Sequence, residues 1–273
     1  MNFFASLDDA VGRNGSLVCV GLDPAMAKLP ECVRGMKQPF FEFNRRIVDA
    51  TRDYVCCYKP QSAFYAGEDR DDELALTIDY IHENASGIPV ILDVKRGDIG
   101  STAEQYAREA FERYKADAVT VNPYMGFDAV KPFLDYADKG VIVLCRTSNP
   151  NSGDLQSLVC DGRPLYEHLA LLVRDKWNAA GNAALVVGAT YPEELKRLRE
   201  LCPDLPFLVP GVGAQGGDVE KVVRNGCNAS GRGIIVNSSR GIIFAGKGAD
   251  FADAAGEAAK KLRDTINLYR KLS

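Results

Sequence analysis

Short apolar runs recur along the chain, each followed by a segment with helical spacing. The first run is Leu17-Val18-Cys19-Val20-Gly21-Leu22-Asp23-Pro24, which ends in an acid. Tyr54-Val55-Cys56-Cys57-Tyr58-Lys59-Pro60 ends in a lysine, and Ile91-Leu92-Asp93-Val94-Lys95-Arg96-Gly97-Asp98 starts apolar and ends charged. Five further runs cover 118–123, 141–145, 183–188, 207–210 and 233–237. Between them apolar residues return every three or four positions, as in Phe40, Phe43, Ile47 and Val48, or Leu165, Leu169, Leu172 and Val173. That period predicts amphipathic helices. Others are expected through Leu74, Leu76, Ile78 and Ile81, and over about 127–136, 192–201 and 250–268. Residues 3–13 read as a short N-terminal helix with Phe3, Phe4, Leu7, Ala10 and Val11 on one side. Ser101 or Thr102 is placed to cap a helix through Glu104, Tyr106, Ala107 and Phe111. Residues 151–162 read as a longer polar loop.

Strands that are apolar along their whole length are buried on both faces, which implies a parallel sheet. Eight such strands alternating with helices predict an α/β fold, a closed (β/α)8 TIM barrel. A doubly wound open sheet is the alternative, but no G-x-G-x-x-G follows the first strand. No linker or low-complexity stretch divides the 273 residues, so 1–273 is expected to form a single domain.

Composition narrows the function by exclusion. Apolar residues make up 46% and charged residues 26%, as in an ordinary soluble globular protein. A net charge of −4 offers no basic footprint for nucleic acid, so local positive charge must receive any anionic ligand. The eight cysteines form no C-x-x-C pair and several lie in apolar runs, which reads as reduced thiols in a cytoplasmic protein. His82 and His168 fall on helical patterns and read as surface or packing residues. A zinc site or a histidine triad is therefore not expected. The N-terminus has neither the basic leader nor the apolar core of a signal peptide, and no run is long enough for a membrane span.

In a barrel the active site lies at the C-terminal ends of the strands. Polar residues collect there: Asp23, Lys59, Asp93, Lys95, Asp98, Asn122, Ser148, Gln215 and Arg240. Asp93 and Lys95 are two apart, so on a strand they point to one side. A lysine between two carboxylates, Asp93 and Asp98, reads as a proton donor held in place. An isolated acid-x-lysine is also what a structural ion pair at a strand end looks like. The last two strand ends differ in character. Gly211, Gly213, Gly216 and Gly217 leave backbone amides free to approach an anion, and Asn237-Ser238-Ser239-Arg240 adds hydroxyls and a guanidinium. These positions are the usual phosphate site of a barrel. A phosphate monoester whose polar body reaches Lys95 is the expected ligand, and no cofactor fingerprint is present.

Asp93-x-Lys95-x-x-Asp98-Ile99-x-x-Thr102 resembles the signature of the orotidine 5′-phosphate decarboxylase family. Gly21-Leu22-Asp23, Tyr58-Lys59-Pro60, the 210–217 segment and Arg240 match it at the right strand ends. The Lys95-Arg96-Gly97-Asp98-Ile99-Gly100-Ser101-Thr102 form and Thr147-Ser148-Asn149-Pro150 are similar to its longer bacterial-type branch. The more familiar branch has Pro-Asn where Gly100-Ser101 stands and Gly-Arg where Ser239-Arg240 stands. The resemblance implies a metal- and cofactor-free decarboxylase of pyrimidine nucleotide synthesis. It implies that Lys95 protonates C6 of the pyrimidine, that Asp93 lies against the substrate carboxylate, and that Lys59 and Asp98 complete an alternating array. It implies that Asp23 and Thr102 bind ribose, Ser148 the pyrimidine, and Gln215 and Arg240 the phosphate, with the loop around Gln215 closing as a lid. It further implies a homodimer in which Asp98 and Thr102 reach the partner's site. The alternatives are a metal-dependent hexulose-phosphate synthase-like aldolase, a Schiff-base aldolase, and a barrel that binds nucleotides without converting them.

Overall fold

Every one of the eight apolar runs becomes a strand. The computed structural model describes residues 2–212 and 218–270. Its strands are β1 (Val18–Leu22), β2 (Cys57–Pro60), β3 (Ile91–Arg96), β4 (Ala118–Val121), β5 (Gly140–Arg146), β6 (Ala183–Val187), β7 (Phe207–Pro210) and β8 (Ile234–Ser238). They pair in parallel in the order β2-β1-β8-β7-β6-β5-β4-β3. The two ends of that order meet through parallel bridges at Tyr58–Val90 and Gln61–Asp93, so the sheet is a nearly closed barrel. β1, β4 and β6 are buried at every residue, as their unbroken apolar sequence requires.

The short N-terminal helix forms over Phe3–Asn14, with the Asn2 side chain accepting the Ala5 amide at 2.9 Å. Its apolar stripe, Phe3, Leu7, Ala10 and Val11, is buried, and Phe3 donates its amide to Asp138 at 2.9 Å. The helices expected at 127–136, 192–201 and 250–268 are Phe127–Leu134, Pro192–Leu201 and Phe251–Tyr269. None of these helices is long and apolar enough to cross a membrane among the described residues.

Some local expectations need correction. Neither Ser101 nor Thr102 caps the helix after β3. That helix, Gly100–Arg108, has Ile99 at its N-cap and no side-chain cap, and it passes into a wider π turn over Glu109–Arg113. The segment 151–162 is not a plain loop. It holds a helical turn, Gly153–Gln156, and one arm of a hairpin pairing Val159–Cys160 with Arg163–Pro164. All eight cysteines are free, but Cys32 and Cys160 are exposed rather than packed. His82 pairs with Asp117 at 3.0 Å and His168 with the Cys160 carbonyl at 2.7 Å, both in part-exposed positions.

Candidate active site

The carboxyl ends of the strands open onto a cavity of about 320 Å³ whose lining includes Asp23, Lys59, Asp93, Asn237, Ser239 and Arg240. Asp23 directly follows β1, Lys59 lies at the end of β2 and Asp93 within β3, and Arg240 opens a short helical turn after β8. Asp93 sits between two lysines. Its Oδ2 accepts from Lys59 Nζ at 2.9 Å and its Oδ1 from Lys95 Nζ at 2.7 Å. Lys59 and Asp93 are almost fully buried, whereas the Lys95 side chain is 45% exposed at the rim. Burial alone would push the Asp93 carboxyl up. Lys59 and Lys95 outweigh it, and hydrogen bonds from Lys95 and Thr120 help hold it well below the usual carboxylate range. Burial alone would likewise strip the Lys59 proton, but Asp93 and then Asp23 keep the ammonium above its ordinary value. Lys59 and Asp93 are therefore both charged at neutral pH.

Asp93 and Lys95 meet as expected, but not by strand alternation. β3 and β4 are in register at Leu92–Val119 and again at Arg96–Val121, so β3 bulges between these points. Lys95 has φ +50°, a left-handed conformation that costs a non-glycine residue about 1–2 kcal/mol. Bulges of this kind re-aim side chains beside active sites. Thr120, facing the bulge from β4, bonds both its backbone and Asp93. Sequence reading passed over Thr120 because it lies inside an apolar run.

Asp23 and Asn237 carry a second signal. Asp23 Oδ2 accepts from Ser239 Oγ at 2.6 Å. Asp23 Oδ1 and Asn237 Oδ1 are buried, and no donor reaches them among the described residues. A buried acceptor without a donor costs about 1–3 kcal/mol. Both residues line the cavity, so a ligand carrying hydroxyl donors would relieve that cost. Gly21 permits this approach of β1 to β8, since a Cβ there would lie 2.7 Å from Ser239 Cβ. Arg240 is exposed and also faces an adjoining cavity of about 950 Å³ with Lys28, Arg34 and Lys247.

The remaining expected residues lie apart from this cluster. Asp98 accepts the amide of its neighbour Ile99 at 2.8 Å, and Thr102 is exposed on its helix. Neither bonds to Lys59, Asp93 or Lys95 within the chain, so the fourth member of the alternating array is not joined here. Asn122 takes part in its own turn, accepting the Tyr124 amide at 3.0 Å. Gln215 lies outside the described residues. Ser148 is half-buried in the loop after β5, off the lining of the cavity.

The Ser148 loop is held from two sides. Buried Arg146 pairs with Glu194, bonds Ser152, and stacks 3.9 Å over the Tyr191 ring. Gln156 accepts the Thr147 amide at 2.9 Å and donates to Thr147 Oγ1 at 2.8 Å. Gly188 lies directly beneath, where a Cβ would come within 2.8 Å of Ser148 N. Gly188→Ala is thus expected to displace this loop and destabilise the fold by about 1–3 kcal/mol. Urea unfolding reads the cost, and an unchanged midpoint would contradict the packing described.

Fold and site together define a (β/α)8-barrel enzyme with buried charge where the reacting part of a small anion would lie. The chain matches the model of the orotidine 5′-phosphate decarboxylase / HUMPS family over residues 16–255. It is 57% identical over 270 residues to orotidine 5′-phosphate decarboxylase of Azoarcus sp. (strain BH72), covering 99% of this chain and 100% of that one. Its fold is similar to that of Leishmania donovani OMP decarboxylase, with a TM-score of 0.86 and 40% identity over 99% of both chains. The similarity to Leishmania donovani UMP synthase has a TM-score of 0.88 at 42% identity, covers 99% of this chain, and spans 57% of that larger one. The chain belongs to the orotidine 5′-phosphate decarboxylase / HUMPS family.

Proposed function

We propose that the chain decarboxylates orotidine 5′-phosphate to uridine 5′-phosphate and carbon dioxide, the last step of UMP synthesis, without metal or cofactor. The observation that carries the mechanism is the Lys59–Asp93–Lys95 cluster, with Lys59 and Asp93 buried and Lys95 at the rim. The bond from C6 of the pyrimidine to its carboxylate breaks, and the electron pair stays on C6. Lys95 delivers its proton to that carbon. Asp93 holds Lys95 Nζ at 2.7 Å and, beside the substrate carboxylate, disfavours the ground state. Lys59 keeps Asp93 ionised. The ribose hydroxyls donate to Asp23, whose Oδ1 stands ready. Ser148 reads the pyrimidine, and Gln215 and Arg240 take the phosphate. Arg240→Ala is expected to weaken uridine 5′-phosphate binding by about 10–100-fold, as a lost charged hydrogen bond does. Uridine should bind unchanged, and calorimetry on both ligands decides. Equal losses would place the phosphate elsewhere.

The site is completed by a second copy of the chain. Within the chain neither Asp98 nor Thr102 bonds to Lys59, Asp93 or Lys95, and exposed apolar side chains lie on the neighbouring loops. Ile99, Tyr124 and Met125 are 54%, 78% and 53% exposed, on the loops after β3 and β4. A homodimer burying this patch would bring Asp98 to the partner's Lys95 and Thr102 to its ribose. Mixing Lys95→Ala with Asp98→Ala chains tests it. If the site is shared, mixed dimers regain one intact site and activity returns; if each chain uses its own Asp98, the mixture stays inactive. The free thiols accord with a reducing compartment, and we place the enzyme in the cytoplasm.

A further inference from the structure

We infer that Thr120 is a positioning residue for decarboxylation, fixing both the backbone from which Lys95 reaches and the carboxylate it pairs with. The inference rests on the proposed role of Lys95 as proton donor. In the β3 bulge, Asp93, Val94 and Lys95 all lie between register partners separated on β4 by Thr120 alone. The amides of Val94 and Lys95 therefore lack an ordinary ladder partner there. Thr120 Oγ1 supplies one, accepting from Val94 N at 3.1 Å and from Lys95 N at 3.0 Å. The same hydroxyl donates to Asp93 Oδ1 at 2.7 Å. A hydroxyl offers one donor and two acceptor sites, and all three are used. Thr120 itself is 1% exposed, which leaves it little freedom to turn away.

The arrangement has a directional consequence. Asp93 Oδ1 receives both the Thr120 hydroxyl and Lys95 Nζ, so the hydroxyl orients the carboxylate edge that Lys95 uses. The left-handed Lys95 backbone is held by the same atom. Without it the bulge can relax toward regular pairing, which would carry the Lys95 stem off its line to the reacting carbon. Misplacement of a reacting group by about 1 Å can cost 10²-fold in rate. The ribose and phosphate contacts lie on other strands, so substrate binding should be spared.

Thr120→Val keeps the volume and deletes the hydroxyl. It is expected to lower kcat by about 10²-fold, with KM and uridine 5′-phosphate affinity changed by less than about threefold. Thr120→Ser restores the oxygen and should recover most of kcat. Thr120→Ala, which leaves room for water at the two amides, serves if the valine variant does not fold, and should show the same split. Near-native kcat in a folded valine or alanine variant would overturn the inference. So would a serine variant as impaired as the valine one, or a loss of product affinity as large as the loss of rate. Lys95→Ala run in parallel separates the failures. Turnover surviving there overturns the Lys95 reading, and this inference with it. Turnover lost there but kept in the Thr120 variants overturns the inference alone.

Discussion

Lys95→Ala is expected to lose turnover by about 10⁵-fold or more, combining a missing general acid with missing charge at the reacting carbon. Loss of carbon dioxide leaves an electron pair on C6 with no evident place to delocalise, so the burden falls on a nearby positive charge and a ready proton. The barrier reduction required lies near the upper part of the ordinary enzymatic range, roughly 20 kcal/mol. Two ammonium groups bond Asp93, and Lys59 is the one that is buried and lines the cavity. Lys95, at the rim and 45% exposed, is the one able to extend toward a ligand. Removing it deletes the donor but leaves Asp23 and Arg240, so uridine 5′-phosphate should still bind. Stopped-flow or steady-state absorbance gives the first quantity and calorimetry the second. Near-normal turnover would sink the assignment.

Asp93→Asn is expected to damage both turnover and stability. Lys59 would keep its buried position, with a side chain 5% exposed, but lose its ion-pair partner. Breaking a buried pair from one side typically costs about 3–5 kcal/mol. Some of that is offset because the amide still accepts a hydrogen bond and Asp23 lies nearby, so about 3 kcal/mol is expected. The pH dependence follows from the signs. The Asp93 carboxyl titrates below its ordinary value in the fold, so its contribution is fully present above the unfolded value, about 3.9, and fades as pH falls through the depressed one. Lys59 titrates above its ordinary value, so its contribution is present below about 10.4 and fades as pH rises beyond it. The gap between wild type and Asp93→Asn should thus stay flat between these limits and narrow on strong acidification. Urea unfolding at a series of pH values measures it. Equal stability at neutral pH, or a gap that widens in acid, would contradict the ion-pair account.

What could be read from sequence was whatever depends on short-range pattern. Unbroken apolar runs marked the strands, because a parallel sheet covered on both faces admits little else. Barrel topology then placed Asp23, Lys59, Asp93 and Arg240 at one end, and the structure gathers those four around one cavity. Features set by distant partners were not legible. Thr120 looks like any β-branched strand residue until the β3 bulge sets its hydroxyl against two amides. The helix Pro39–Thr51 has its first amides capped by Glu73, 2.7 Å from Phe40 N, from the far side of β2 in sequence. Arg146 reads as a charged strand end, yet it is buried against Glu194 and Tyr191 beneath the Ser148 loop. Asp98 and Thr102 read as site residues because the motif holds them, while within the chain neither bonds to Lys59, Asp93 or Lys95.

The most direct test of a metal-free, lysine-centred decarboxylase is the ultraviolet absorbance change on mixing the protein with orotidine 5′-phosphate, with EDTA present throughout. Rapid conversion to uridine 5′-phosphate under chelation is the predicted result. No conversion until magnesium is added, or turnover only of a sugar phosphate with an aldehyde, would contradict it and move the chemistry to a metal-dependent aldolase.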